Sequence, residues 1–110
     1  MFSQKDIVLI PFPYSDLTGV KQRPALIISN SKLHGVDRIC CLITTNHAAE
    51  SLPLKKDAFA SGMLPFESFV KPQRIFTIHE KIIIKKLCTI TDDCYEKILS
   101  GILDYIKGEK

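Results

Sequence analysis

No apolar run in this 110-residue sequence approaches the length of about 20 residues that a membrane-spanning helix needs. Residues 1–5 also lack the basic start and apolar stretch of a signal peptide, so a cytoplasmic protein with no membrane partner is expected. The four cysteines, Cys40, Cys41, Cys88 and Cys94, form no C-x-x-C pair and have no histidine at zinc-finger spacing. Cys40 and Cys41 are adjacent in an apolar run, where opposite-facing side chains do not readily ligate one ion. Reduced, mostly buried thiols are the expectation. The glycines are too scattered for a phosphate loop of the P-loop or dinucleotide kind. Spacing brings out no Ser/His/Asp or Cys/His set, and the carboxylates form no recognisable metal cluster. Repeats, low-complexity tracts and interdomain linkers are lacking as well. One domain over residues 1–110, using no cofactor, is expected.

What is present describes an ordinary globular chain. Hydrophobic residues make up 45% of it, enough for a single core and too many for a disordered segment. The net charge of +3, from fifteen basic and twelve acidic residues, permits an anionic partner without demanding one. Lys55, Lys56, Lys71, Arg74, Lys81, Lys85 and Lys86 concentrate the positive charge in the second half. Lys85 and Lys86 would equally suit a strand edge kept soluble by lysine.

Short β-branched runs separated by turn residues predict strands over 7–12, 25–29, 39–44, 52–54 and 68–71, with a last stretch from 76 or later to 90 that contains a break. None is followed by a long crossover helix, which favours an antiparallel sheet or small barrel over a parallel α/β fold. The tail changes period. Tyr95, Ile98, Leu99, Ile102, Leu103 and Ile106 recur at helical spacing, Thr91, Asp92 and Asp93 offer N-caps, and Gly108 follows the last periodic residue. An amphipathic helix over 92–107 is predicted.

The candidate chemistry lies in residues 6–29, DIVLIPFPYSDLTGVKQRPALIIS. A polar loop carrying Asp16, Thr18, Gly19, Lys21 and Gln22 returns to a strand through Arg23-Pro24. Proline restricts the residue before it to extended backbone, so the Arg23 guanidinium is held at the mouth of a strand. Its planar fork of donors suits phosphate oxygens, although a surface arginine in a salt bridge is the alternative. Thr44 and Thr45 end the run ICCLITTN, where hydroxyls can donate to a phosphate or serve simply as strand residues. Among His34, His47 and His79, whose side-chain type titrates near neutrality, His47 lies three residues beyond Thr44. His34 reads as a turn residue, and His79 as a surface residue paired with its neighbour Glu80.

These residues carry a resemblance. The opening segment, an acidic residue, an apolar strand, a polar loop and R-P-A-L-I, resembles the start of the MazF/PemK growth-inhibitor toxins of type II toxin–antitoxin pairs. ICCLITTN is similar to that family's third strand, and SFVKPQRIFTIHEKII to its segment ending in I-x-T-I before a basic stretch and a C-terminal helix. The resemblance covers almost the whole chain, in order. It implies a mainly β, α+β domain: an SH3-like, partly closed antiparallel β-barrel with a C-terminal amphipathic helix, usually a homodimer. The implied activity is metal-independent, sequence-specific endoribonuclease cleavage of single-stranded RNA through 2′-hydroxyl attack.

Carried over by position, Arg23 matches the family's catalytic arginine and Thr44 its active-site threonine. The loop 14–22 matches the segment that covers RNA and is displaced by antitoxin. RNA is expected to meet Tyr14, Asp16, Thr18, Lys21, Gln22, Thr45, His47, Lys55, Lys56 and Arg74, and a cognate antitoxin is the expected protein partner. The proton acceptor stays open, between an arginine acting electrostatically and another group such as His47. Two positions depart from the pattern: Lys5 stands where glycine is frequent, and Phe76 where arginine is frequent, with Arg74 on the same strand face as a substitute. A non-catalytic barrel toxin that binds a protein such as DNA gyrase is the competing reading, as is a degenerate member that binds RNA or antitoxin and cuts poorly.

Overall fold

The computed structural model describes residues 2–12 and 21–109. Among these residues, seven strands form one antiparallel sheet: β1 (Asp6–Phe12), β2 (Lys21–Ile27), β3 (Asp37–Thr44), β4 (Leu52–Leu54), β5 (Phe59–Ser61), β6 (Ser68–His79) and β7 (Lys85–Ile90). Their spatial order is β4-β6-β3-β2-β1-β7-β5, and the helix α1 (Asp92–Ile106) follows. The two edge strands, β4 and β5, are consecutive in sequence. Only four residues, among them the 3-10 turn Lys56–Ala58, join Leu54 to Phe59, so the edges are drawn towards each other and the sheet curls into a nearly closed barrel. This is the architecture that the strand pattern and the family resemblance led us to expect.

Alternation along the strands buries both faces. Ile7, Leu26, Cys41, Ile43, Val70, Cys88 and Ile90 form the larger core, together with Tyr95, Ile98 and Ile102 of α1. Val8, Ile10, Ala25, Ile27, Cys40 and Ile78 form a second cluster on the opposite face, with Phe12 and Phe76 packed against it. Helix α1 starts where its cap predicts, the Thr91 hydroxyl accepting the Cys94 N–H at 3.1 Å. It is fixed to the sheet through Tyr95. That phenol donates to the Ile28 carbonyl at 2.8 Å, and the Gln4 amide donates to both oxygens at 3.0 Å. Tyr95→Phe is therefore expected to lower stability by about 1 kcal/mol, seen as a lower urea midpoint at unchanged slope. An unshifted midpoint would show that the aromatic ring alone anchors the helix.

The strands differ from the sequence expectation in places. β2 begins at Lys21 because its polar residues pair with β1, Phe12 facing Lys21 and Pro11 facing Gln22. β6 continues past Lys71 to His79, and the register against β3 jumps from Ile43–Val70 to Cys41–Ile75. Residues 71–74, Pro72 among them, form an enlarged bulge there, a place where a strand tolerates proline. The break expected before residue 90 is the 3-10 turn Glu80–Ile82. His79 is exposed, as expected, but its Nδ1 accepts the Lys81 N–H while Glu80 pairs with Arg38 at 2.9 Å. Lys85 and Lys86 lie on an inner strand, beyond the Thr89 and Ile90 positions where β5 pairs with β7.

Position 5 explains why glycine suits it. Lys5 has φ +79°, a left-handed conformation disfavoured for residues with a Cβ. Its ammonium group sits 2.9 Å from Asp92 and 5.8 Å above the Tyr95 ring, contacts that a glycine would not make. Asp6, the acidic residue of the opening motif, is buried. It accepts the Ser3 N–H at 3.0 Å and the Thr89 hydroxyl at 3.1 Å, pinning the N-terminal segment to β7. Cys40, Cys41 and Cys88 are buried and Cys94 is half-buried, all unbridged. Burial pushes the Cys40 and Cys41 thiols up to about 12 and Cys88 up to about 11, so they are protonated at neutral pH.

Candidate nucleic-acid interface

Arg23 and Thr44 lie on neighbouring strands. β2 and β3 are neighbours, with Ala25 facing Leu42. That is the last pair of the β2–β3 ladder; carried two residues further along each strand, its register brings the Arg23 position level with Thr44. Arg23 also faces Ile10 of β1, while Thr44 faces Phe69 of β6, which in turn faces Pro53 of β4. Ile10 and Arg23 thus form one cross-strand pair, and Thr44, Phe69 and Pro53 a run across three strands that the extended β2–β3 register continues into a row. Directly opposed residues share a face, and Ile10 places this row on the face of the second cluster.

The row combines a half-buried arginine with a buried threonine. Thr44 Oγ1 accepts the Asn46 N–H at 3.1 Å, which orients it and leaves its own proton for donation. The bend at Thr45 and Asn46 turns the chain so that the His47 ring packs edge-on against Phe69, with centroids 5.1 Å apart. The loop beyond is tied down by Ser51: its hydroxyl donates to the Ala48 carbonyl at 2.7 Å and accepts the Ala48 N–H at 3.1 Å.

Of the other expected contacts, Lys21 is exposed on β2 and alternates onto the Arg23 face, whereas exposed Gln22 alternates to the other face. Thr45 and His47 are exposed beside Thr44. Lys55 and Lys56 are exposed just beyond edge strand β4, at a groove of about 370 Å³ that Phe59, Met63 and Phe66 also line. Arg74 is exposed at the end of the β6 bulge, two residues before Phe76. Phe76 is half-buried and edge-on to Phe12, ring centroids 5.4 Å apart, so this position packs an aromatic pair where the family often has a charge. Tyr14, Asp16 and Thr18 lie outside the described residues. Among the described residues, no group of three or more His, Cys, Asp or Glu side chains converges, and no helix is long and apolar enough to cross a membrane.

The family model for the PemK-like, MazF-like toxin of type II toxin–antitoxin systems matches residues 3–106. No curated protein matches the sequence. Among solved structures, the chain is similar to an endoribonuclease from a mycobacterial species in complex with its cognate antitoxin, with TM-score 0.71 at 16% identity over 99% of this chain and 100% of that one. It is likewise similar to the Mycobacterium tuberculosis toxin MazF-mt6, with TM-score 0.74 at 16% identity over 96% and 99% of the two chains. The MazE–MazF structure from Deinococcus radiodurans gives TM-score 0.76 at 15% identity over 96% and 95%. At these identities the likeness is one of fold.

Proposed function

Because this chain belongs to the PemK-like, MazF-like toxins of type II toxin–antitoxin systems, we propose that it is an endoribonuclease that cuts single-stranded RNA at a short sequence without a metal ion. What supports the proposal is that Arg23 and Thr44 lie on one face of adjacent strands, level in the register that pairs Ala25 with Leu42. The nucleophile, a ribose 2′-hydroxyl, belongs to the substrate, so the protein needs to align it, stabilise charge and move a proton. Arg23 presents two donors to the non-bridging oxygens as negative charge builds on phosphorus. The Thr44 hydroxyl, oriented by the Asn46 amide, donates to one of those oxygens. Lys21, Thr45, Lys55, Lys56 and Arg74 hold the flanking phosphates, with Tyr14, Asp16 and Thr18 as further RNA contacts.

The relatives solved with antitoxins support a cognate antitoxin as partner. An acidic and apolar tail fits the surface where Lys55 and Lys56 adjoin the exposed side chains of Met63 and Phe66. A homodimer acting in the cytoplasm, where mRNA is met, completes the reading.

The test is cleavage of an unstructured RNA in excess EDTA. The expected products end in a 2′,3′-cyclic phosphate and a 5′-hydroxyl, and a 2′-deoxy substitution at the cut site abolishes cleavage. A fully paired duplex is expected to resist, since its bases are not splayed for a shallow groove to read. Cleavage that requires added Mg²⁺ would overturn the mechanism, and binding without any cleavage would make the chain a non-catalytic toxin.

A further inference from the structure

The reaction above lacks a proton acceptor. Arg23 is unsuited to the task, because a guanidinium stays protonated throughout the working range. Imidazole is the side-chain type suited to take up and return a proton in catalysis, and His47 lies three residues beyond Thr44, beside the described part of the row. Its position is constrained at three points. Upstream, the Asn46 N–H bonds back to Thr44 Oγ1. Downstream, both the N–H and the carbonyl of Ala48 are held by Ser51. The ring itself packs edge-on against Phe69, which faces Thr44 directly in the β3–β6 register. Phe69 is 7% exposed, whereas His47 is exposed, so the histidine rests on a buried aromatic support at the protein surface. Such packing holds a general base in place for attack.

We propose that His47 is the catalytic residue that takes the proton from the attacking 2′-hydroxyl, an assignment that rests on the ribonuclease reading. In the step, the 2′-O–H proton moves to a neutral imidazole nitrogen as the 2′-oxygen bonds to phosphorus. The bond from phosphorus to the 5′-oxygen then breaks, and that oxygen takes a proton from water to become the 5′-hydroxyl. The imidazolium returns its proton to water, so the reaction has no net proton change. Charged groups on the surrounding elements are Glu67 just before β6, Lys71 within β6, Arg23 on β2, Lys55 after β4 and Glu50 in the histidine's own loop.

The experiment compares parent, His47→Gln and His47→Ala proteins on a short RNA between pH 5 and pH 8.5. The parent kcat/KM is expected to rise with pH along a limb of unit slope, because only neutral imidazole accepts the proton. His47→Gln should lose about a hundredfold in kcat and lose that limb. Its melting temperature and its affinity for a 2′-deoxy, uncleavable oligonucleotide should stay near those of the parent. Added imidazole should restore part of the His47→Ala rate. If the parent cuts RNA while His47→Gln keeps the same limb and a rate within about threefold, His47 is not the base. If the parent binds RNA and does not cut it, the ribonuclease reading falls and takes this assignment with it.

Discussion

Arg23→Lys is expected to slow RNA cleavage by about 10²–10³-fold, close to the effect of Arg23→Ala and equivalent to roughly 3–4 kcal/mol of transition-state stabilisation. Both variants should melt near the parent temperature. Lysine preserves the charge and much of the aliphatic stem, so a site that needed only diffuse positive potential would tolerate it. A phosphorane needs more, because its negative charge is spread over two non-bridging oxygens that a planar guanidinium meets with two parallel donors. A single ammonium on a flexible stem meets one of them at a time. Pro24 restricts the backbone of Arg23 to extended conformations, so the side chain starts from a fixed place on β2. Single-turnover rates separate this loss from any change in binding. Near-parental turnover by Arg23→Lys would reduce Arg23 to a steering charge and remove the observation on which the proposed function stands.

Much of the fold was legible in the sequence where a local pattern and its tertiary partner agree. Helix α1 was readable because its period, N-cap and apolar stripe coincide, and Tyr95, Ile98 and Ile102 are its buried residues. β1 and β3 were readable as β-branched runs. The start of β2 was not, since Lys21 and Gln22 are strand residues only because Phe12 and Pro11 lie opposite. Nor was the continuity of β6, whose polar, proline-containing bulge at 71–74 has the composition of a loop. β5, with only Phe59–Ser61, is too short to show a period.

The site divides in the same way. Arg23 and Thr44 can be singled out as types at strand ends, but their juxtaposition depends on the β2–β3 register, which no local pattern encodes. The support of His47 by Phe69 joins residues 22 apart through the bend after Thr44. A hydrophobic residue at the start of a strand gives no signal that it will carry a histidine. The acidic residue of the opening motif was legible as a motif position, yet its work proved structural: Asp6 is buried and ties residue 3 to strand β7.

Leu26→Ala is expected to have the largest effect on stability, about 3–5 kcal/mol. Leu26 is fully buried in the larger core, on a strand paired on both sides, with Ile7 and Cys41 as its cross-strand partners. Truncation removes three carbons there and leaves a void that paired β1 and β3 cannot readily collapse to fill. For a domain of this size, with total stability of about 5–15 kcal/mol, that is a melting-temperature fall on the order of 15–20 °C. Leu103→Ala is the control. Leu103 is 43% exposed on α1, and the same chemical change should stay within about 0.5 kcal/mol. The comparison with Arg23 separates scaffold from site on a single strand, because Leu26 and Arg23 lie three residues apart and point to opposite faces of β2. Well below its melting temperature, Leu26→Ala should retain most RNA cleavage, while Arg23→Lys retains stability and loses turnover. A Leu26→Ala protein that melts within a few degrees of the parent would show that the core between sheet and helix repacks freely, and β2 would then be no rigid platform for Arg23.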